Sequence, residues 1–207
     1  MGVGAMIVFI AMVLVAGIAA AVLIQTANRL EIQAMTTGET TKKEVATGVH
    51  IVDVEAHRNG SAGDIDWMTI TITGRAGAGD VDLANAFVEI SNTVRKHVLK
   101  YDNTEFHSRE EINGNIMQVA FFDGLSGQEF GLLVLEDADH SCNSSTPVIN
   151  GGDKVMILVN TSIGRVFNAN IAERTDVMGM IQPEEGSAGV FSFRTPAAYT
   201  DGVFKLY

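Results

Sequence analysis

From Val3 to Ile24 the chain runs for 22 residues without a charged or strongly polar side chain, and its first ionisable side chain is Arg29. Coiled as an α-helix, such a run is about 33 Å long, the depth of a bilayer core. It has no polar face to offer water. A helix of this kind is stable only in lipid or at the centre of a bundle of other helices. Only Met1 and Gly2 precede the run, and Ala19, Ala20 and Ala21 lead straight into Val22, Leu23 and Ile24. A secretory signal peptide would have a basic start and a shorter apolar centre, and a permanent single-span anchor would carry Lys or Arg on its cytoplasmic flank. The chain reads as though a basic leader had been removed just ahead of the apolar run.

The helical character extends further. Gln25 to Ala46 contains no proline and one glycine, Gly38, and keeps sparse apolar positions at Ala27, Leu30, Ala34, Met35 and Val45. One helix of roughly 45 residues is therefore expected, about 65 Å long and much longer than a bilayer is thick. Small residues at Gly4, Ala11, Ala16, Gly17 and Ala20 permit close helix packing in lipid or in a bundle.

Beyond Gly48 the pattern changes to period two and short apolar runs. Strands are expected over Val49–Ala56, Asp66–Thr73, Ala86–Ser91, Val94–Tyr101, Asn115–Phe122, Phe130–Leu135, Lys154–Asn160, Val166–Glu173, Thr175–Ile181, Val190–Arg194 and Val203–Leu206. Turn residues separate them, among them Asn59-Gly60, Asn113-Gly114, Asp123-Gly124 and Asn150-Gly151-Gly152. Short strands at this spacing with no helix between them indicate an Ig-like antiparallel β-sandwich. The fold class is α+β, with a long N-terminal helix over residues 1–48 and an all-β head over residues 49–207. Trp67, the only tryptophan, is expected in the core of that head.

Composition narrows the function. Fourteen Lys and Arg against 25 Asp and Glu leave a formal charge of −11, which repels phosphate backbones and argues against nucleic acid as a partner. A single cysteine, Cys142, cannot close an internal disulfide. Gly124-Leu125-Ser126-Gly127-Gln128 is not a nucleophile elbow, and no P-loop, H-E-x-x-H or C-x-x-C occurs. The histidines, His50, His57, His97, His107 and His140, are scattered. No catalytic residue or resident cofactor is expected, and the chain does not read as an enzyme. Asp137, Asp139, His140 and Cys142 share one loop, and Asp64 with Asp66 and Asp80 with Asp82 offer oxygen ligands. Ca²⁺ in the head is an option these leave open, with ordinary solvated or turn-forming side chains the favoured reading.

Three N-x-[ST] triplets mark glycosylation acceptors at Asn59, Asn143 and Asn160. Asn59 and Asn143 lie in turn-rich loops from which a glycan could project, whereas Asn160 ends a strand candidate.

These residues resemble a known family. The N-terminus GVGAMIVFIAMVLVAGIAAAVLIQTA (Gly2 to Ala27) is similar to the processed start of an archaellin, the archaeal flagellin. TGETTKKEVATGV (Thr37 to Val49), GDVDL (Gly79 to Leu83), GDKVMILVN (Gly152 to Asn160) and ERTDVMGMIQPEEGSAGVFSFRTPAAY (Glu173 to Tyr199) resemble further archaellin segments. Bacterial type IV pilins share the apolar helix but typically carry Glu at the fifth mature position, where this chain has Ala5 if Met1 is the first mature residue. The resemblance implies a precursor cut by a type IV prepilin-like peptidase, held in the membrane by its apolar run, and passed by export machinery into an extracellular helical homopolymer turned by a membrane motor. It implies a polymerisation core formed by Val3 to Ile24, with Val3, Ile7, Phe9, Ile10, Val13, Leu14, Ile18 and Leu23 as its packing residues. The alternatives are an archaeal type IV adhesion pilin and a membrane-anchored extracellular binding domain.

Overall fold

Without a proline before Pro147, nothing interrupts the backbone ladder of the N-terminal half-chain. A single helix, α1 (Gly2–Ala46), accordingly spans 45 residues, about 67 Å at the usual rise. The computed structural model describes residues 2–58, 64–77, 79–162, 164–167 and 171–207, and the chain divides into two compact units, residues 1–42 and 43–207. Lys43 in the last turn complements the negative end of the helix dipole. The chain leaves α1 through Thr47, whose N–H donates to the Lys43 carbonyl at 2.7 Å. Ser187 then fastens this exit, its N–H donating to the Thr47 carbonyl at 2.9 Å while its own carbonyl accepts from Val49. Gly186 beside it has φ +96, and a Cβ there would stand 2.3 Å from the Thr47 oxygen. Only glycine fits that corner.

The head is built from β1 (Val49–Arg58), β2 (Ile65–Gly74), β3 (Val81–Asp82), β4 (Phe87–Ser91), β5 (Lys96–His107), β6 (Glu129–Glu136), β7 (Val148–Ile149), β8 (Lys154–Asn160), β9 (Asp176–Gln182), β10 (Gly189–Arg194) and β11 (Val203–Lys205). Nine of these form one sheet in the order β10-β9-β4-β5-β6-β8-β2-β1-β11, and β3 pairs with β7 in a short ribbon. All neighbours are antiparallel except β5 and β6, which are parallel. The sheet curls until the β10 end approaches β1: Gly189 lies against Ile51, and Gly48 bridges Ser187. Val49 and Ile51 of β1 therefore share one core with Phe191 and Phe193 of β10. The expected all-β head is present, its layers being parts of one continuous sheet.

Burial explains which strands alternate. β10 follows a strict in-out rhythm, and β9 and β4 nearly so, with one face on the core and one toward water. β2 and β8 are buried along almost their whole length. Their inner face lies on the main core, and their outer face carries a second cluster in which Trp67, Leu133, Met156 and Leu158 pack with Phe121, Phe122 and Leu125. The Trp67 ring stacks on Phe122 at 4.9 Å and on His57 at 4.6 Å. Phe121, Phe122 and Leu125 come from the connection between β5 and β6, which the parallel pairing requires to be a long crossover.

Among the described residues, two expected strands are not formed. Over Asn115–Phe122 the chain makes an Asx turn, with the Met117 N–H donating to Asn115 Oδ1 at 3.0 Å, and then a 3-10 turn at Val119–Phe121. Its apolar residues cover the sheet instead of joining it. In the span Val166–Glu173 the described residues contain one isolated bridge, Ile171 to Ile65. Val166 and Phe167 are buried in the main core without pairing in a strand. β5 runs on to His107, six residues beyond the expected end at Tyr101.

One close packing gives a direct test. Opposite Phe191 in the β9–β10 pair stands Gly179, and a Cβ there would lie 2.2 Å from the ring. Gly179→Ala should therefore cost the head about 1–3 kcal/mol by overpacking, readable as a lower denaturant midpoint at unchanged m-value.

Candidate functional site

The feature that most needs a partner is α1. No described residue of the helix is buried. Between Val3 and Ile24 stand fourteen Val, Leu, Ile, Met or Phe side chains, all of them exposed, from 54% for Ile10 to 74% for Val3. Val3, Ile7, Ile10, Leu14 and Ile18 recur every three or four residues and form one stripe. Phe9 and Leu23 fall on roughly the opposite side, and Val13 flanks the stripe beside Ile10. The expected packing residues thus surround the helix, and a single neighbour could cover only some of them. Shielding all fourteen is worth about 20–40 kcal/mol as an upper bound.

The second half of α1 is more polar but equally prepared for cover. Thr26, Thr36 and Thr40 donate their hydroxyls to the carbonyls of Val22, Ile32 and Thr36, at 2.7, 2.8 and 2.9 Å. With these three hydroxyls bonded inside the helix, they can be covered without being left as stranded donors.

In the head, the chemistry-bearing groups do not form a catalytic array among the described residues. His57 pairs with Asp66 at 3.1 Å under the Trp67 ring, and His107 sits between Glu111 at 2.8 Å and Glu105 at 3.5 Å. Glu111 is held below the usual carboxylate range, chiefly by its hydrogen bond with His107. Cys142 is buried, and burial, helped by the charges of Asp137 and Asp153, pushes its thiol up to about 12. Such a thiol is inert as a nucleophile. Asp82 caps a turn by accepting from the Ala84 N–H at 2.7 Å.

One carboxylate group does converge. Asp137, Asp139 and Asp153 bring oxygens within 4.8 Å of one another, a donor set that could hold a hard divalent cation such as Ca²⁺. It differs from the loop foreseen in the sequence: the side chains of His140 and Cys142 are outside the group, and Cys142 contributes its backbone N–H to Asp137 at 3.1 Å. Asp153 is the member the sequence does not announce. It arrives through the Asn150-Gly151-Gly152 turn, and its carboxylate accepts from the Asn150 N–H at 2.9 Å. Burial, with the charges of Asp137 and Asp139 adding to it, holds the Asp153 carboxyl above its ordinary range. Asp139 is held low, mainly by hydrogen bonds from Asn150 and Ser141.

The archaeal-type flagellin family model matches residues 1–193 of the chain. Flagellin B2 of Methanocaldococcus jannaschii is 42% identical over 209 residues, covering 100% of this chain and 94% of the relative. The chain belongs to the archaeal-type flagellin family. The crystal structure of archaeal flagellin FlaB1 from the same organism aligns to this flagellin with a TM-score of 0.70 and 34% identity, over 78% of this chain and 97% of that one. The archaeal flagellum of Methanospirillum hungatei has the same fold, with a TM-score of 0.64 at 13% identity over 99% of each chain. The family is structural, supplying subunits of the extracellular archaellum filament.

The three sequons of this flagellin fare differently. Asn59 lies outside the described residues. Asn143 is on the surface, its side-chain amide donating to the His140 carbonyl at 3.1 Å. Asn160 is buried at 3% exposure, its Nδ2 donating to the Phe122 carbonyl at 2.8 Å and its Oδ1 accepting from Ser162. What separates the two described sequons is burial: the Asn160 amide nitrogen is turned into the fold, whereas Asn143 stands at the surface.

The raised Asp153 carboxyl fixes a sign. A carboxyl whose folded pKa exceeds its unfolded value opposes folding once ionised, so its contribution becomes more favourable as the pH falls through the folded pKa toward the unfolded value. In a head of residues 43–207 held in chelator, Asp153→Asn should raise the unfolding temperature at pH 7 and remove much of the relative gain on acidification, as followed by calorimetry across that range.

Proposed function

We propose that this flagellin polymerises through the Val3 to Ile24 half of α1 into an open helical fibre that is rotated for swimming. The observation that carries the reading is the complete exposure of an apolar helix that has no polar side. Lipid covers it before assembly, and equivalent helices cover it afterwards. Val3, Ile7, Phe9, Ile10, Val13, Leu14, Ile18 and Leu23 supply the buried bulk of the fibre core. Residues 49–207 form its outer wall, where the net negative charge meets water.

The helix glycines support the same reading. Gly4, Gly17 and Gly38 have open space where a Cβ would stand, yet each costs the helix up to about 1 kcal/mol relative to alanine. Their benefit lies outside the single subunit, in letting a neighbouring backbone approach. Because each copy presents one surface and receives another, the contacts continue without closing into a ring.

A type IV prepilin-like peptidase, export machinery and a membrane motor are the partners of this cycle, and no step in it calls for a catalytic residue in this chain. We further assign Asn143, exposed in its loop, as a glycan acceptor, in preference to Asn160.

Two experiments test these assignments. Leu14→Asp, or Val13→Asp, places an unpaired charge in the fibre core and should abolish filaments on electron micrographs while the head keeps its unfolding midpoint; normal filaments would overturn the core assignment. Mass analysis of native filament protein should show a glycan on the Asn143 peptide that disappears in Asn143→Gln, and an unmodified native peptide there would refute the acceptor role.

A further inference from the structure

The 108–128 crossover covers Trp67, Leu133 and Met156, and its two halves are held to the rest of the head by different means. The later half is tied through main-chain carbonyls: Asn160 donates to Phe122 at 2.8 Å and Arg165 to Asp123 at 3.0 Å. The stretch 108–121 has no such tie. Its backbone hydrogen bonds run only within itself, from Glu111 to Ser108, Ile112 to Arg109, Gln118 to Ile116 and Phe121 to Gln118. Apolar contact apart, its one polar link to the sheet among the described residues is Glu111 to His107 at the end of β5.

His107 stands between two carboxylates. Its Nδ1 lies 2.8 Å from Glu111 and its Nε2 3.5 Å from Glu105, while the ring rests on Phe121 at 4.6 Å. The residue opposite on β6 is the apolar Leu133, and the exposed Arg109 and Glu110 on the turn of Glu111 make no ion pair with the ring. Glu111 is held below the usual carboxylate range, so near neutral pH it only accepts, and Nδ1 must carry the hydrogen. Nε2 is buried without a hydrogen-bond partner. With a hydrogen it aims a donor at Glu105; without one, a lone pair faces a carboxylate out of water. A single proton decides whether this contact attracts or repels. Glu105 itself lies beneath the crossover, where a Cβ on Gly124 would stand 1.8 Å from its carboxylate.

We propose that the His107–Glu105 contact is a proton-operated latch on the 108–121 half of the crossover: with a proton between Nε2 and Glu105 the stretch is held on the sheet, and without it the stretch lifts. The latch does not depend on the filament reading. Phe121, on the ring of His107, is followed by Phe122, which stacks on Trp67 at 4.9 Å, so the lift is felt at the only tryptophan. Closing takes up a proton, and by linkage it weakens as the pH rises through the range in which histidines lose their charge, about pH 5 to 8. Glu111 bounds the acid side with the opposite sign. Its lowered carboxyl contributes fully above the unfolded value, and the contribution is lost as the pH falls through the folded one. The latch is therefore closed at mildly acid pH and released on the alkaline side.

The test uses the full-length protein as recovered from cells. Hydrogen–deuterium exchange of the 108–121 peptide, corrected for the intrinsic pH dependence of amide exchange, should be at least about tenfold faster at the upper end of that range than at the lower, while β2 and β8 stay equally protected at both. Glu105→Gln replaces the carboxylate by an amide that donates to Nε2 at any pH, so its exchange should be slow at both ends. His107→Gln removes the titrating ring and should exchange at one rate throughout; should it fail to fold, Glu105→Gln decides alone. Trp67 emission gives a second reading. The wild-type red shift on raising the pH should be lost in Glu105→Gln, whereas the contribution of His57, stacked on Trp67 at 4.6 Å, is common to both proteins. Equal corrected exchange at the two ends in wild type, or a wild-type pH dependence persisting in Glu105→Gln, would overturn the latch.

Discussion

Everything about this subunit follows from a helix half that cannot remain in water. A helix that is apolar on every side can be satisfied only by an environment that surrounds it, and the fourteen large side chains between Val3 and Ile24 need one. Lipid and a bundle of identical helices are nearly equivalent in this respect, because acyl chains are about as apolar as leucine. The passage from membrane to fibre therefore exchanges one apolar cover for another. On the reading proposed above, its direction is set by the smaller terms that distinguish them, among them the close packing that Gly4, Ala11, Ala16, Gly17 and Ala20 permit.

The head solves its own burial problem in two ways. Its sheet curls so that strands from opposite ends share a single core, Ile51 meeting Gly189 across the gap. The parallel step between β5 and β6 then turns a topological requirement into a structural gain. A parallel pair needs a long crossover, and the crossover is laid over the outer side of β2, β8 and β6, where Phe122 stacks on Trp67. These central strands are consequently double-sided and read as continuous apolar runs. The strands toward β10 have one buried side and read as alternating.

That difference explains how much was legible in the sequence. The helix is a local property, and its length and apolar character follow from residues 2–46 alone. The strands β1, β4, β9 and β10 also announce themselves, since period two is written into each segment. Asn115–Phe122 misleads because Met117, Phe121 and Phe122 are apolar for a tertiary reason, as cover for a sheet whose existence the segment does not encode. The surroundings of Asn160 are invisible for the same reason: N-x-[ST] describes three residues, while the inward turn of the Asn160 amide depends on Phe122, 38 residues away. Asp153 joins Asp137 and Asp139 only because the β7–β8 turn returns it to them. Local periodicity is recoverable from one segment, whereas convergence of distant segments needs the chain path.

Hydrophobic burial supplies strength without direction, since it scales with area and is indifferent to orientation. The Val3 to Ile24 surface alone would tolerate many rotations and offsets between neighbours, and a fibre with a fixed repeat needs features that do not. The polar half of α1 has them in Arg29, Glu31, Glu39, Lys42, Lys43 and Glu44, whose partners must be matched in position as well as sign. The net charge of −11 makes repulsion the default between copies of this chain, so the attraction that outweighs it has to come from covering the apolar half of α1.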